Sequence, residues 1–520
     1  MGRGLCSVRG VHTVSGADEI APGSGSIAAA HRAGLSWPLL LGAAAFVLVL
    51  AIGAVRLDAD AYWQIVAGRW IIAHGQVPAR DIFSFTRHGT RWIVQEWGAE
   101  VLEALVYAMA GWAGLVLLAA LCFALTIAYL ARFLLARMAP LHALILTAVS
   151  GGMMLGYLIA RPHELAWPLT ALWVGGLIES NERKRAPPWR LLAVMLLWAN
   201  LHASFILGLA LAVPIALEAV IEAKRHWRPA ARRWGAFLAA AFGCTLLNPQ
   251  GWRLLVFPFH MLGMPVLAQL GEWQPPNLQQ PQVFGLWLIG VFGLAFAGRF
   301  ILPIARSLLL IALIFFALQH VRNVSLLGLI SPFLIATPLA AQWRREPPHG
   351  REGRALDRTL RTPAALGGLG ALCATIVLAG ALGIAAVSVR KPGPPAQATP
   401  RAALDALLAR RPRARILDDI EFGGYLIFRR IPVFVDPRIA VYGNAFLERY
   451  YAALDLSQRG NIDALLKKYR INAILLGPQW PLVRWLERSP RWQRVYAGKW
   501  AVAYVRARGG RGHERSEIAR

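Results

Sequence analysis

Between Ser36 and Val55 the sequence carries no charged side chain, and similar apolar runs recur as far as Val389. The longer runs, wound as helices, would cross a ~30 Å hydrocarbon core. Only 16% of the residues are charged and the mean hydropathy is +0.46, where soluble domains carry about 25% charge. A single soluble globule and a disordered chain are both excluded. The pattern is that of a polytopic membrane protein.

The formal charge of +27, from 55 Lys and Arg against 28 Asp and Glu, would by itself suit a nucleic-acid binder. Much of the excess lies in short loops between apolar runs, where Lys and Arg set topology. No basic stripe forms, so no nucleic-acid partner is expected. Cys122, Cys244 and Cys373 sit in apolar runs and Cys6 in the tail, with no CxxC or Cys/His spacing for a metal.

Read from the loops, residues 1–35 form a cytoplasmic tail and Ser36–Val55 an uncleaved anchor. The loop 56–111, with six acids and five arginines, then lies outside. Trp112–Arg132, His142–Ile159, Leu165–Ile178, Trp189–Asn200, Ser204–Val220, Trp234–Leu247, Val283–Ala297, Ser307–Leu318, Ser325–Ala341 and Ala364–Val389 continue the weave. This gives about eleven spans, with the strongly basic short loops, including those at Arg299 and Arg306 and from Arg344 to Arg361, on one side. Ala99–Ala110 bears Glu100 and Glu103 on one face and is expected along the outer surface.

After the linker Lys391-Pro-Gly-Pro-Pro395, helical and strand patterns alternate, as in a small soluble α/β domain over 391–520. Helices are expected over Arg401–Arg411, Phe446–Leu456, Ile462–Tyr469 and Pro481–Arg488. Strands are expected over Ile431–Val435, Ala473–Leu476 and Trp500–Arg506. The fold class is thus a mostly α membrane bundle, residues 36–390, with a C-terminal α/β domain outside.

Three features on the outer face carry candidate chemistry. Leu57-Asp-Ala-Asp-Ala-Tyr-Trp63 puts Asp58 and Asp60 at the mouth of the bundle, before an amphipathic helix, Ala61–His74, whose Trp63 and Trp70 suit an interface. One aspartate can cap that helix while the other faces a cavity. Arg161 and Arg322 lie at outer span ends, each near a histidine, His163 and His320. Arginine forks match phosphate oxygens, so the pair suggests a bound lipid phosphate; interfacial snorkelling is the competing explanation. His202 and Asn200, in Asn200-Leu-His-Ala-Ser204, join the same face. The outer loop from Asn248-Pro-Gln-Gly-Trp252 to Glu272-Trp-Gln-Pro-Pro276 offers Glu272 and Trp273 to a sugar, although a plain connector has the same composition.

In the tail, Asp418, Asp419 and Glu421 precede Gly423-Gly424, and Asp436-Pro-Arg438 follows a strand-like run. An acceptor-binding edge is one reading of these groups, but Asp and Gly at strand ends are more often turn chemistry, so the tail is expected to be an accessory domain that rests on membrane lipids and helps admit an acceptor without chemistry of its own.

Asp60-Ala-Tyr-Trp63, placed just past the first span, resembles the acidic motif of the GT-C superfamily of membrane glycosyltransferases. Gly75-Gln-Val-Pro-Ala-Arg-Asp-Ile-Phe-Ser84, Glu96-Trp97, Arg161-Pro162, Asn200-Leu-His202, Asn248-Pro249, Gly423-Gly-Tyr-Leu426 and Val435-Asp-Pro-Arg438 are similar to stretches of a bacterial branch of these proteins. The resemblance implies a multi-pass inner-membrane enzyme with a periplasmic tail. It would move a sugar from a polyprenyl phosphate to a glycan or lipid acceptor, with Asp60 in the position of the catalytic carboxylate. Ala61 stands where the motif usually has its second acid, so no metal ligand is assigned and a divalent metal is left open. A lipid-linked glycan transporter and a non-catalytic envelope assembly protein are the alternatives. Against the transporter, the spans carry no evident buried charge or internal repeat.

Overall fold

The computed structural model describes residues 34–343, 367–457 and 462–507. Most of the N-terminal tail and the basic segment from Arg344 to Arg361 lie outside the described residues. In chain order the helices of the bundle and its loops are α1 (Trp37–Ala51), α2 (Asp60–His74), α3 (Trp97–Leu135), α4 (Pro140–Leu155), α5 (Pro162–Glu182), α6 (Leu191–Leu201) and α7 (Phe205–Glu222). They continue with α8 (Trp227–Leu246), α9 (Arg253–Leu262), α10 (Val283–Phe296), α11 (Ile304–Gln319), α12 (Asn323–Trp343) and α13 (Leu369–Arg390). Among the described residues, four helices (α3, α7, α12 and α13) are long and apolar enough to cross a membrane. Several others are shorter: a 15-residue helix such as α1 reaches only about 22 Å at 1.5 Å per residue. The sequence reading of about eleven spans counted the turns that flank such helices as part of each run.

The segment Ala99–Ala110 and the following span prove to be one 39-residue helix bent at Gly111, whose φ of 59° and ψ of −149° only glycine adopts freely. The bend lays the first part over the bundle end, but Glu100 and Glu103 are buried, not on the surface. Arg306 also differs from its expected place in a basic loop. It lies buried in α11, with Nη2 2.9 Å from Glu218 of α7, whose carboxylate also accepts from Asn181 Nδ2 at 2.8 Å. The bundle therefore does contain a buried ion pair, at the end away from α2, and the argument from buried charge against a transporter lapses.

The tail holds α14 (Arg401–Arg410), β1 (Ile416–Asp418), α15 (Ile420–Phe428), α16 (Ile439–Tyr442), α17 (Asn444–Leu454), α18 (Ile462–Lys468), β2 (Ala473–Leu476), α19 (Pro481–Arg488), β3 (Trp492–Ala497) and β4 (Val502–Arg506). The sheet order is β1-β2-β4-β3, with β1 parallel to β2 and the other pairs antiparallel. Ile431–Val435 is not a strand of this sheet. It runs beside the first long loop instead, where Phe85 N donates to Val433 O at 3.0 Å and Val433 N to Phe83 O at 3.2 Å.

Tail and loop are consequently fused. Tyr62, Trp63, Trp92 and Val94 of the loop share one apolar core with Leu417, Leu426, Phe434 and Leu475 of the tail. Helix α2 is sandwiched between α3 and α15, so Trp63 is buried and does not lie at an interface. Gly423-Gly424 is not a turn but part of α15. A Cβ on Gly424 would strike the Ala59 carbonyl at the start of α2. Gly424→Ala should therefore cost about 1–3 kcal/mol, the usual scale of overpacking. A melting temperature equal to wild type in purified protein would refute this close approach.

Candidate active site

The first turn of α2 begins the site. Asp60 N donates to Asp58 Oδ1 at 3.1 Å, so Asp58, one residue before the N-cap Ala59, ties down the first amide of the helix. Asp60 accepts from Trp63 Nε1 on Oδ1 at 3.0 Å, which fixes its carboxylate one turn along the helix. Its Oδ2 lies 2.9 Å from Arg161 Nη2. Arg161 comes from the N-terminus of α5, where Glu164 ties back to the Arg161 and Ile159 amides at 3.1 and 2.7 Å and locks the chain's entry.

Arg161 is shared by three carboxylates. Its Nε is paired with Asp58, Nη2 with Asp60, and Nη1 is 3.2 Å from Glu272 Oε2. Glu272 also receives Arg322 Nη1 at 3.1 Å and the Tyr157 hydroxyl. Arg322 stacks over Trp273, 5.1 Å from the ring centre. His320 Nδ1 meets the Trp273 carbonyl at 2.7 Å, and Val321 N donates to Gln274 O at 2.9 Å. The loop at 271–274 is thereby pinned to the end of α11.

These groups line a cavity of about 460 Å³, which also takes Glu96, Glu100, His163, His202, Trp92, Glu421 and Arg438. Sequence reasoning had brought Asp58, Asp60, Arg161, His163, His202, Glu272, Trp273 and Arg322 to one face, and all eight line this cavity. Two do not. His320 acts from behind Trp273. Asn200 Oδ1 accepts from Trp97 Nε1 at 3.0 Å while its Nδ2 donates to the Leu196 and Leu247 carbonyls, a structural tie. Tyr157, Glu96 and Glu100 were not singled out as ligands of this site. Glu421 and Arg438 were visible as an acceptor-binding edge, but turn chemistry is the commoner reason for such residues at strand ends.

Burial sets the electrostatics. It pushes the Asp58 carboxyl up to about 6, with Arg161 opposing and Asp60 adding to the rise. Burial and then Asp60 push Glu96 up to about 7, and Glu421 rises to about 7 through burial, Asp419 and Asp60. Burial would raise Glu272 too, but Arg322 and Arg161 outweigh it and hold this carboxylate below its ordinary range. His202 is kept neutral by burial and by His163. Its Nδ1 accepts from Ser204 N at 3.1 Å, leaving Nε2 toward Glu96 Oε1 at 3.3 Å.

A divalent metal does not fit this donor set as it is arranged. The guanidinium of Arg161 stands between the Asp58 and Asp60 carboxylates, where a cation would be held, and Ala61 removes the second acid of the motif. Among the described residues no group of three or more His, Cys, Asp or Glu gathers in metal-binding fashion.

No family model matches the sequence, and no curated protein matches it. Solved structures do. ArnT from Cupriavidus metallidurans bound to undecaprenyl phosphate aligns with a TM-score of 0.51, covering 91% of this chain and 98% of that one. The chain has the ArnT fold. Sequence identity is 13%, so the likeness is one of architecture. The apo form of the same ArnT aligns at a TM-score of 0.48 with 13% identity, over 90% of this chain and 97% of that one. The likeness runs along nearly the whole length of both chains, and in this chain the carboxylate-rich cavity lies where α2, α5 and the tail meet.

Proposed function

We propose that the protein is a membrane glycosyltransferase that takes a sugar from a polyprenyl phosphate and passes it to an extracytoplasmic acceptor. The observation that carries this reading is the convergence of Asp60, Arg161, Glu272 and Arg322 on one cavity, in a chain that folds like ArnT, which was solved with undecaprenyl phosphate.

The acceptor nucleophile attacks the anomeric carbon as the bond from that carbon to the phosphate oxygen breaks. The acceptor's proton goes to the Asp60 carboxylate, and the electron pair leaves with the lipid phosphate. Arg161 and Trp63 hold Asp60 in place, so little reorganisation is needed at the moment of reaction. Arg322 has one ion pair, to Glu272, where Arg161 has three. It is the guanidinium with N–H groups left for a departing phosphate. Arg161, paired with two adjacent carboxylates, has the positioning role on this reading, and the phosphate falls to Arg322.

Purified protein given radiolabelled polyprenyl-phosphate sugar should release or transfer the label in proportion to enzyme. Donor that stays intact with every envelope extract offered as acceptor would contradict the reading. The activity should also fall as pH drops through about 6, where Asp58 takes up a proton and gives up its pairing with Arg161. In Asp58→Asn this limb should be absent from a lower plateau. A wild-type limb near 4, the ordinary carboxylate value, would show that the Asp58–Arg161 pair does not govern the rate.

A further inference from the structure

The tail was expected to assist from the side, yet it forms one wall of the cavity through Ile420, Glu421, Pro437, Arg438, Ile439 and Val441. Two of these side chains are polar and neither belongs to the Asp60–Arg161 network. Glu421 lies open to the cavity at the first turn of α15. Its carboxyl has no hydrogen-bond or ion-pair partner among the described residues, whereas Asp419 beside it is spent on Trp480 Nε1 at 2.6 Å and Gly477 N at 3.2 Å.

Arg438 is buried and held from three sides. Its Nη2 donates to Asp81 Oδ1 and to Asp436 Oδ2, each at 2.7 Å, and its Nε to Asp436 Oδ1 at 2.8 Å. The Tyr442 hydroxyl closes the cluster on Asp436 Oδ2 at 2.6 Å. Trp92 and Phe83 lie against the guanidinium, 4.4 and 4.8 Å from ring centre to Cζ. Among the described residues, Nη1 alone has no hydrogen-bond partner. Leaving an N–H unmade on a buried arginine is costly, and because Arg438 lines the cavity a small shift of the guanidinium would offer this donor to a ligand there.

The chemistry of that ligand follows from charge. Two carboxylates already neutralise Arg438, leaving the cluster net negative, so the site offers a hydrogen bond and not a counter-charge to an anion. Glu421, which lines the same cavity as Asp60, adds an acceptor. The cavity also presents the indoles of Trp63 and Trp92 and the apolar edges of Pro437 and Val441. A carboxyl, a guanidinium N–H and aromatic faces around one cavity suit a neutral polyhydroxylated ring, whose hydroxyls both donate and accept and whose C–H face is apolar.

We infer that the tail wall is the acceptor subsite, and that Glu421 and Arg438 hydrogen-bond the hydroxyls of a carbohydrate acceptor opposite Asp60. This rests on the glycosyltransferase reading but adds the acceptor's class and the residues that choose it. It also gives the fused loop–tail core a purpose, because the subsite exists only while Asp81 of the loop and Asp436 of the tail hold the same arginine.

The test reads binding as well as turnover. Full-length protein in lipid nanodiscs is titrated with neutral tetrasaccharides of glucose, mannose and N-acetylglucosamine, and in a second arm with the matching octyl glycosides, while tryptophan fluorescence is followed. At least one probe should bind, and Glu421→Ala should weaken it tenfold or more, with Glu421→Gln in between. A preference for the glycosides would mark a glycolipid acceptor, and equal binding a free glycan; both support the subsite. Arg438→Lys should weaken the same probe, and since that change can unfold the cluster, its melting temperature is measured alongside. Glu487→Gln, on an exposed pair with Arg494, is the control and should change nothing. If no probe in either arm binds wild type, or if Glu421→Ala binds as wild type does, the subsite is refuted. Because binding is read without donor, lack of sugar transfer alongside intact probe binding would count against the glycosyltransferase reading and leave the carbohydrate subsite standing.

Discussion

Asp60→Asn should lower sugar transfer by about 10²–10⁴-fold, the range general-base catalysis supplies. The amide keeps the shape of the carboxylate and can still accept from Trp63 Nε1, so α2 should start where it does now. What it loses is the proton-accepting charge and the pairing with Arg161. Asp58→Asn should be milder, because its amide oxygen can still receive the Asp60 N–H that begins the helix. The two variants are read together by initial rates at a pH near 8, well above the pH near 6 at which Asp58 takes up its proton. Equal losses would mean that the pair acts as one unit; full activity in Asp60→Asn would remove it from the chemistry.

Arg161→Ala should be the most destabilising single change in the site. It leaves Asp58, Asp60 and Glu272 facing one another, with Arg322 the remaining ion-pair partner of Glu272 among the described residues. Stranding a buried partner costs about 3–5 kcal/mol, and because Arg161 keeps some solvent contact the loss here should be roughly 2–3 kcal/mol. Arg161→Lys keeps the charge but has one ammonium for three carboxylates, so it should recover only part. Adding Asp58→Asn to Arg161→Ala should restore stability, since it removes one of the repelling charges. Thermal unfolding of the four proteins measures this. If Arg161→Ala melts as wild type but binds donor lipid poorly, Arg161 is a phosphate ligand after all and the carboxylate clamp is secondary.

Much of the site was legible because its residues break local rules. Two aspartates after an apolar run, and arginines at span ends where cations are sparse, are anomalies that a sequence exposes directly. Their partners were not legible. Glu272 sits in a loop whose Pro, Trp and Gln content fits a connector equally well, and nothing local says that it will meet Arg161, 111 positions away. The same limit hid the tail's part. Ile431–Val435 has a strand's composition, but its pairing partner is residues 83–85 of the first loop, not the tail sheet. Composition gives the extended backbone and leaves the partner open. Glu100 and Glu103 read as a polar face on a surface helix, because helical spacing shows which residues share a face but not what covers it. β1 escaped notice for a simpler reason: it is three residues long, all buried, with no alternation to detect.

The central claim is that the lipid-linked donor reacts beside Asp60. A cryo-EM map of the full chain in nanodiscs with a non-hydrolysable polyprenyl-phosphonate sugar tests it most directly. The account predicts the phosphonate against Arg322 and the anomeric carbon close enough to Asp60 for one bound hydroxyl to bridge them, with Asp60 ~3 Å from that hydroxyl. Density for the sugar phosphonate elsewhere on the bundle, with the Asp60 cavity free of it, would contradict the account.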